Sequence, residues 1–260
     1  MPARLERPAY SLNNMKIIKD IVYYQNQCLD IYIPEDKILG AFVHFHGGGI
    51  VSGDKNDVTD LMIHMANKGF IMFSANYSLY PDTKFPKFLV EAAHAVKYAF
   101  DNIDSFGGNK DSIYLSGQSA GAYIIMMLAT NHIYLKEVNI SNKQIRGYVS
   151  DSGQLIDHFN VQQYEKNIDP WLQRISELSP MYFVGPEVDL SSILLICYES
   201  DMLNRKEQNK MFYNLVKYYN QDIDITYVEL PGNHVDGSCF KDKDDEYPYV
   251  KVVIDWVNIK

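Results

Sequence analysis

Cysteine is scarce in this chain of 260 residues, which has 3: Cys28, Cys197 and Cys239. They are too few and too scattered for a disulfide framework, and none forms a CxxC pair. Free thiols in a reducing compartment are therefore expected. Cys197 lies in an apolar run and reads as buried; Cys239 follows a candidate catalytic histidine, His234, closely enough to lie near it. Basic charge is also in short supply. Against 33 Asp and Glu there are 24 Lys and Arg, a formal net charge of -9. Such a surface repels the phosphates of nucleic acids and anionic membranes rather than neutralising them.

No apolar run approaches the roughly 18 residues of a membrane span. Residues 1–14 carry two arginines but no apolar stretch, so a secretory signal is not expected there. Together these point to a cytoplasmic protein with no nucleic-acid and no membrane partner. Repeats, low-complexity tracts and linker-like segments are missing as well, so one domain over 1–260 is expected. With 47% hydrophobic and 22% charged residues, the chain can bury an ordinary core.

What is present is alternation. Runs rich in β-branched and aromatic residues at 16–24, 28–33, 41–45, 71–76, 112–116, 147–150, 193–198 and 225–230 predict eight strands. The first two are separated by Gln25-Asn26-Gln27 and form a hairpin, whereas runs such as Ala41-Phe42-Val43-His44-Phe45 are almost continuously apolar, as a strand covered on both faces requires. Between them, helical spacing predicts helices at 57–68, 86–102, 119–130, 204–219 and 246–258. In 86–102, Leu89, Ala92, Ala93 and Val96 make one apolar stripe. Strands alternating with helices imply an α/β fold with a mostly parallel sheet and helices on both faces. Residues 153–188 break the pattern. They are longer than an ordinary connection and read either as a small cap over the site or as a plain surface helix.

The strongest chemical signal is Gly117-Gln118-Ser119-Ala120-Gly121, entered from a strand and followed at once by a helix. A turn that tight tolerates no Cβ at either glycine and leaves the serine oxygen exposed at its tip, over a helix N-terminus. A second signal is His46-Gly47-Gly48-Gly49, directly after a buried strand. Glycines there let backbone N–H groups approach the oxygen that becomes negative in an acyl-transfer transition state.

A serine hydroxyl needs a base, and the base an orienting acid. Of the 7 histidines only His234 follows the last strand, in a Pro/Gly turn. His44 alternates inward along a strand, His64 and His94 sit on helices, His132 follows a helix end, and His158 lies in 153–188. Asp201 follows the strand 193–198, at the sheet edge that also carries Ser119 and His234. Glu199 and Asp236 compete with it for the acid, and capping the helix 204–219 competes as its role.

These motifs, in this order, resemble the α/β-hydrolase superfamily, in particular its hormone-sensitive-lipase-like and acetyl-esterase branch. The likeness runs from Leu29-Asp30-Ile31-Tyr32-Ile33-Pro34 to His234. It includes the Gly-rich loop with Ser52-Gly53, Tyr77-Ser78-Leu79-Tyr80-Pro81-Asp82 with Phe85-Pro86, Phe106-Gly107-Gly108-Asn109, and Asp201-Met202-Leu203. The resemblance implies an eight-stranded hydrolase fold with Ser119 as nucleophile, His234 as base and Asp201 as acid. It further implies an oxyanion hole from Gly47, Gly48 and the Ala120 N–H, with Gly49, Gln118 and Tyr80 at the substrate, and no metal or other cofactor. Two departures stand out: Gln118 replaces an acidic residue, and Ser78 an arginine. N-terminal cap helices look absent, because the Gly-rich loop is reached by residue 46.

The expected activity is a carboxylesterase acting on small, water-soluble esters, with room for a homodimer. An arylformamidase, other amidase or peptidase would use the same triad, and a hydrolase-like binding module that has lost catalysis is a third reading. The 20 tyrosines suggest aryl- or sugar-ester substrates, although core packing explains most tyrosines as well.

Overall fold

Apolar residues on both faces of a strand can be buried only if helices cover both sides of the sheet. The computed structural model, which describes residues 15–259, has that arrangement. Eight strands form one sheet: β1 (Met15–Tyr24), β2 (Gln27–Pro34), β3 (Gly40–Phe45), β4 (Phe70–Ala75), β5 (Ile113–Gln118), β6 (Gly147–Asp151), β7 (Ser192–Ser200) and β8 (Ile225–Asn233). Their order is β1-β2-β4-β3-β5-β6-β7-β8. The β1–β2 hairpin pairs antiparallel and β2 joins β4 antiparallel; the pairings from β4 through β3 and β5 to β8 are parallel. Residues 1–14, where a signal was not expected, lie outside the described residues.

The helices are α1 (Thr59–Asn67), α2 (Lys87–Asn102), α3 (Ala120–Thr130), α4 (Ile133–Glu137), α5 (Phe159–Lys166), α6 (Arg205–Tyr219), α7 (Asp236–Cys239) and α8 (Pro248–Asn258). Period two in β3 splits the core. Ala41, Val43 and Phe45 pack with the α2 stripe, α3 and Phe212 of α6; Phe42 packs with Leu61 and Met62 of α1 and Val253 and Trp256 of α8. Every residue of α3 is buried, as a helix apolar all round must be. The five expected helices appear, each starting one or two residues later and four of them ending where expected; α4, α5 and α7 are short segments that no apolar period marked. Among the described residues no helix is long and apolar enough to cross a membrane.

Residues 153–188 hold α5 and one 3-10 turn (Pro180–Phe183). The Asn160 amide donates to the Gly49 carbonyl (2.7 Å), Glu165 accepts from the Tyr80 hydroxyl and the Phe85 N–H (2.7 Å each), and Tyr164 stacks on Tyr80. The segment is thus docked on the Gly-rich loop and on the stretch before α2.

Candidate active site

Parallel register brings five strand ends to one edge. Phe45 of β3 lies opposite Gly117 of β5, Gln118 opposite Asp151 of β6, Asp151 opposite Ile196 of β7, and Ser200 opposite Asn233 of β8. The residues that follow these strands are His46, Ser119, Ser152, Asp201 and His234. This is the crevice where open α/β sheets take ligands.

Ser119 joins β5 to α3 at φ 51° and ψ -108°, a conformation most side chains avoid. Its N–H donates to the Asp151 carbonyl at 2.8 Å, which holds the turn. Gly121 is required two residues on: a Cβ there would stand 2.0 Å from the Phe45 carbonyl oxygen, because α3 starts against the end of β3.

The Ser119 hydroxyl lies 2.8 Å from His234 Nε2, and His234 Nδ1 lies 2.7 Å from Asp201 Oδ1. With Nε2 accepting from the serine, Nδ1 carries the proton and donates to the carboxylate. The Asp201 side chain is fully buried and that of His234 is 24% exposed. Burial opposes ionisation of Asp201. Hydrogen bonds from His234, Ser152 and the Met202 N–H outweigh it and hold the carboxyl below the ordinary aspartate range. Glu199 is exposed, and Asp236 Oδ2 accepts from the N–H (2.7 Å) and side-chain amide (3.0 Å) of Asn233. Asn204, rather than Asp201, stands at the cap position of α6.

Gly47 lies against Ser119, to whose Cβ a Cβ on the glycine would be 3.6 Å. Gly48 has φ 107° and leaves no room for a side chain, because the Ser52 carbonyl oxygen would be 2.0 Å away. Its own carbonyl accepts from the Val51 and Ser52 N–H groups, while the Tyr77 hydroxyl donates to the His46 carbonyl at 2.8 Å. The loop is therefore tied down on both sides of the glycines. A cavity of about 570 Å³ opens over it, lined by Gly47, Gly48, Gln118, Ser119, His234 and Cys239 among others. Val58, Leu61 and Tyr247 give it an apolar wall, and Asp57 and Asp60 an acidic one.

Gly49 and Tyr80, expected at the substrate, do not line that cavity. Gly49 is covered by Phe159 and Asn160, and Tyr80 faces a separate depression with Ser78, Asp82 and Glu91, its hydroxyl spent on Glu165. Gln118 reaches the cavity wall, but its amide donates to Ser238 Oγ at 2.6 Å.

Several residues at this edge escaped the sequence reading. Ser152 Oγ lies 2.6 Å from Asp201 Oδ2 and 2.8 Å from His234 Nδ1. Asp151 accepts from the hydroxyls of Ser238 and Tyr198. Burial pushes its carboxyl up to about 7, against those hydrogen bonds, which favour ionisation. The guanidinium of Arg205 donates to the Ser152 carbonyl, and burial lowers its pKa to about 10. The available signal was position: Asp151 and Ser152 end a parallel strand, as Ser119, Asp201 and His234 do.

The other histidines have structural surroundings. His44 is buried with Nδ1 2.9 Å from Ser116 Oγ, and His158 is buried against Tyr123 and Phe159; burial lowers each to about 3. His64 pairs with Glu246, and His94 stacks on Tyr24. Cys197 is buried, whereas Cys239 lines the cavity.

Curated relatives include an isoprenylcysteine alpha-carbonyl methylesterase of Arabidopsis thaliana, 29% identical over 174 residues, which covers 62% of this chain and 40% of that protein. A probable isoprenylcysteine alpha-carbonyl methylesterase of Oryza sativa is 26% identical over 217 residues, covering 75% of this chain and 50% of the relative. The chain thus spans half or less of the length of these relatives. Among solved structures, esterase B of Lactobacillus rhamnosis superposes with a TM-score of 0.79 at 16% identity, covering 95% of this chain and 86% of the other. A thermophilic esterase of Thermogutta terrifontis gives 0.74 at 18% identity, covering 98% and 97%. At such identities the likeness is one of fold, and it is the α/β-hydrolase fold that the motifs implied. The family model described as BD-FAE matches residues 29–169, more than half of the chain and a stretch that contains the Gly-rich loop and the Ser119 turn. The chain belongs to the BD-FAE family.

Proposed function

We propose that this chain is a serine carboxylesterase that cleaves small, short-acyl or water-soluble esters through a Ser119 acyl-enzyme. The observation that carries the reading is the unbroken chain of hydrogen bonds from Ser119 Oγ through His234 to Asp201, opening into a cavity beside the Gly-rich loop. His234 Nε2 takes the Ser119 proton as Oγ attacks the ester carbonyl carbon. The carbonyl oxygen, now negative, is received by the N–H groups of Gly47, Gly48 and Ala120, each such donor being worth about 2.7–4 kcal/mol. The imidazolium returns its proton to the leaving alkoxide, which departs as the alcohol. Water, deprotonated by His234, then attacks the acyl carbon, and Ser119 leaves with the proton restored. Asp201 stays ionised throughout and holds Nδ1–H.

Ester rather than amide chemistry is favoured by the esterase names of the relatives. Residues 153–188, which we read as a small cap, dock beside the Gly-rich loop, where Phe159 and Asn160 cover Gly49. In a panel of 4-nitrophenyl acetate, butyrate and octanoate, with a formyl anilide and an aminoacyl amide alongside, kcat/KM is expected to be highest for acetate or butyrate. A rate that climbs to octanoate, or an amide that outruns every ester, would overturn the substrate class.

A further inference from the structure

The geometry points to Ser152 as a positioning residue of the Ser119 site: its hydroxyl bridges Asp201 Oδ2 and His234 Nδ1 and sets the two side chains against each other. The inference rests on the triad reading above and adds a member to it. Ser152 follows β6, between the strand that ends in Ser119 and the strand that leads to Asp201. Its hydroxyl donates to Asp201 Oδ2 at 2.6 Å and accepts a share of the His234 Nδ1–H at 2.8 Å. Nδ1 also lies 2.7 Å from Asp201 Oδ1, so carboxylate, hydroxyl and ring close a small circle of hydrogen bonds. Oδ2 also accepts from the Tyr198 N–H at 3.2 Å, but the Ser152 hydroxyl is the nearer donor and also meets the ring, so it ties the carboxylate to the imidazole whose Nε2 faces Ser119.

The surroundings hold Ser152 where this requires. It is fully buried and sits at φ 54°, a region that non-glycine residues occupy when neighbouring structure forces them to and that concentrates at functional sites. The force is visible. The Ser152 N–H donates to the Ile196 carbonyl at 2.7 Å, and the buried Arg205 guanidinium donates to the Ser152 carbonyl. Strand β7 and helix α6 thereby grip one backbone unit from two sides, and the side chain is left pointing at the acid and the base. Titratable and charged groups around Asp201 are His234 from the turn after β8, Arg205 from α6, Asp151 from β6 and Cys197 from β7. Of these, only His234 also touches the Ser152 hydroxyl.

The test compares Ser152→Ala and Ser152→Gly with the wild type on an activated acetyl ester, over pH and with thermal midpoints recorded. Both variants lack the hydroxyl, and glycine accepts the positive φ without strain. Each is expected to lose about tenfold in kcat, the effect of one hydrogen bond to a charged group, with KM little changed. The acid limb of kcat/KM is expected to move up, because the acid–base pair, having lost one donor to its carboxylate, holds a proton more readily. A merely structural role would lower kcat or the melting point and leave the limb in place, and that result overturns the proposal. So does an alanine variant that is impaired beside a normal glycine variant, since backbone strain would then be the cause. If the wild type itself turns over no ester, the triad reading fails first; a normal wild type beside two normal variants removes Ser152 alone.

Discussion

Ser119→Ala is expected to abolish turnover of an activated acetyl ester, by about a millionfold where residual rates can be followed, while the protein melts within a degree or two of the wild type. The asymmetry follows from where the hydroxyl sits. It is hydrogen-bonded to His234 Nε2 at the wall of the cavity. Alanine keeps the Cβ and leaves the backbone bond to the Asp151 carbonyl intact, so the strained turn between β5 and α3 persists. Without Oγ there is no atom to carry the acyl group. The glycine loop can polarise a carbonyl, but only bulk water can attack it. Rates measured with saturating ester, next to a melting curve of the same preparation, check both halves.

Asp201→Asn is expected to cost about a thousandfold to ten-thousandfold in kcat, the scale seen when a triad acid becomes an amide. Four donors meet this carboxylate. Oδ1 faces His234 Nδ1 and the Met202 N–H; Oδ2 faces Ser152 Oγ and the Tyr198 N–H at 3.2 Å. An amide has one acceptor oxygen, so one pair of donors must face an NH2 group. If the NH2 meets His234, Nδ1 must shed its proton, Nε2 takes it up, the ring no longer accepts from Ser119, and the Met202 N–H is left facing a donor. If it meets Ser152 and Tyr198 instead, a buried donor is left facing a donor, with loss of stability. Steady-state kinetics and melting curves separate these outcomes. Glu199→Gln, at an exposed position on the same strand end, is the control and leaves the rate near that of the wild type.

Much of this arrangement was legible in the residues. The nearly continuous apolar run at 41–45 arises from burial on both faces and the 3.6 period in 86–102 from burial on one, so they read directly as β3 and α2. Ser119 was legible because a sharp turn leaves a glycine signature. Asp201 and His234 were legible because each follows a strand that must lie parallel to β5. Ser152 was not: nothing local marks it, and its role exists only once β6 is inserted between β5 and β7. The Asp151–Ser238–Gln118 cluster was hidden for the same reason, since it joins residues up to 120 positions apart. Tyr80 was placed at the substrate by family likeness; the acceptor of its hydroxyl, Glu165, lies in a segment whose docking no periodicity reveals.

The most direct test of the central claim is to treat the protein with a fluorophosphonate and map the adduct by peptide mass spectrometry. One adduct is expected, on Ser119, absent from Ser119→Ala and slowed in Asp201→Asn. No adduct, or one that survives in Ser119→Ala on another serine of the cavity such as Ser52 or Ser238, would contradict it.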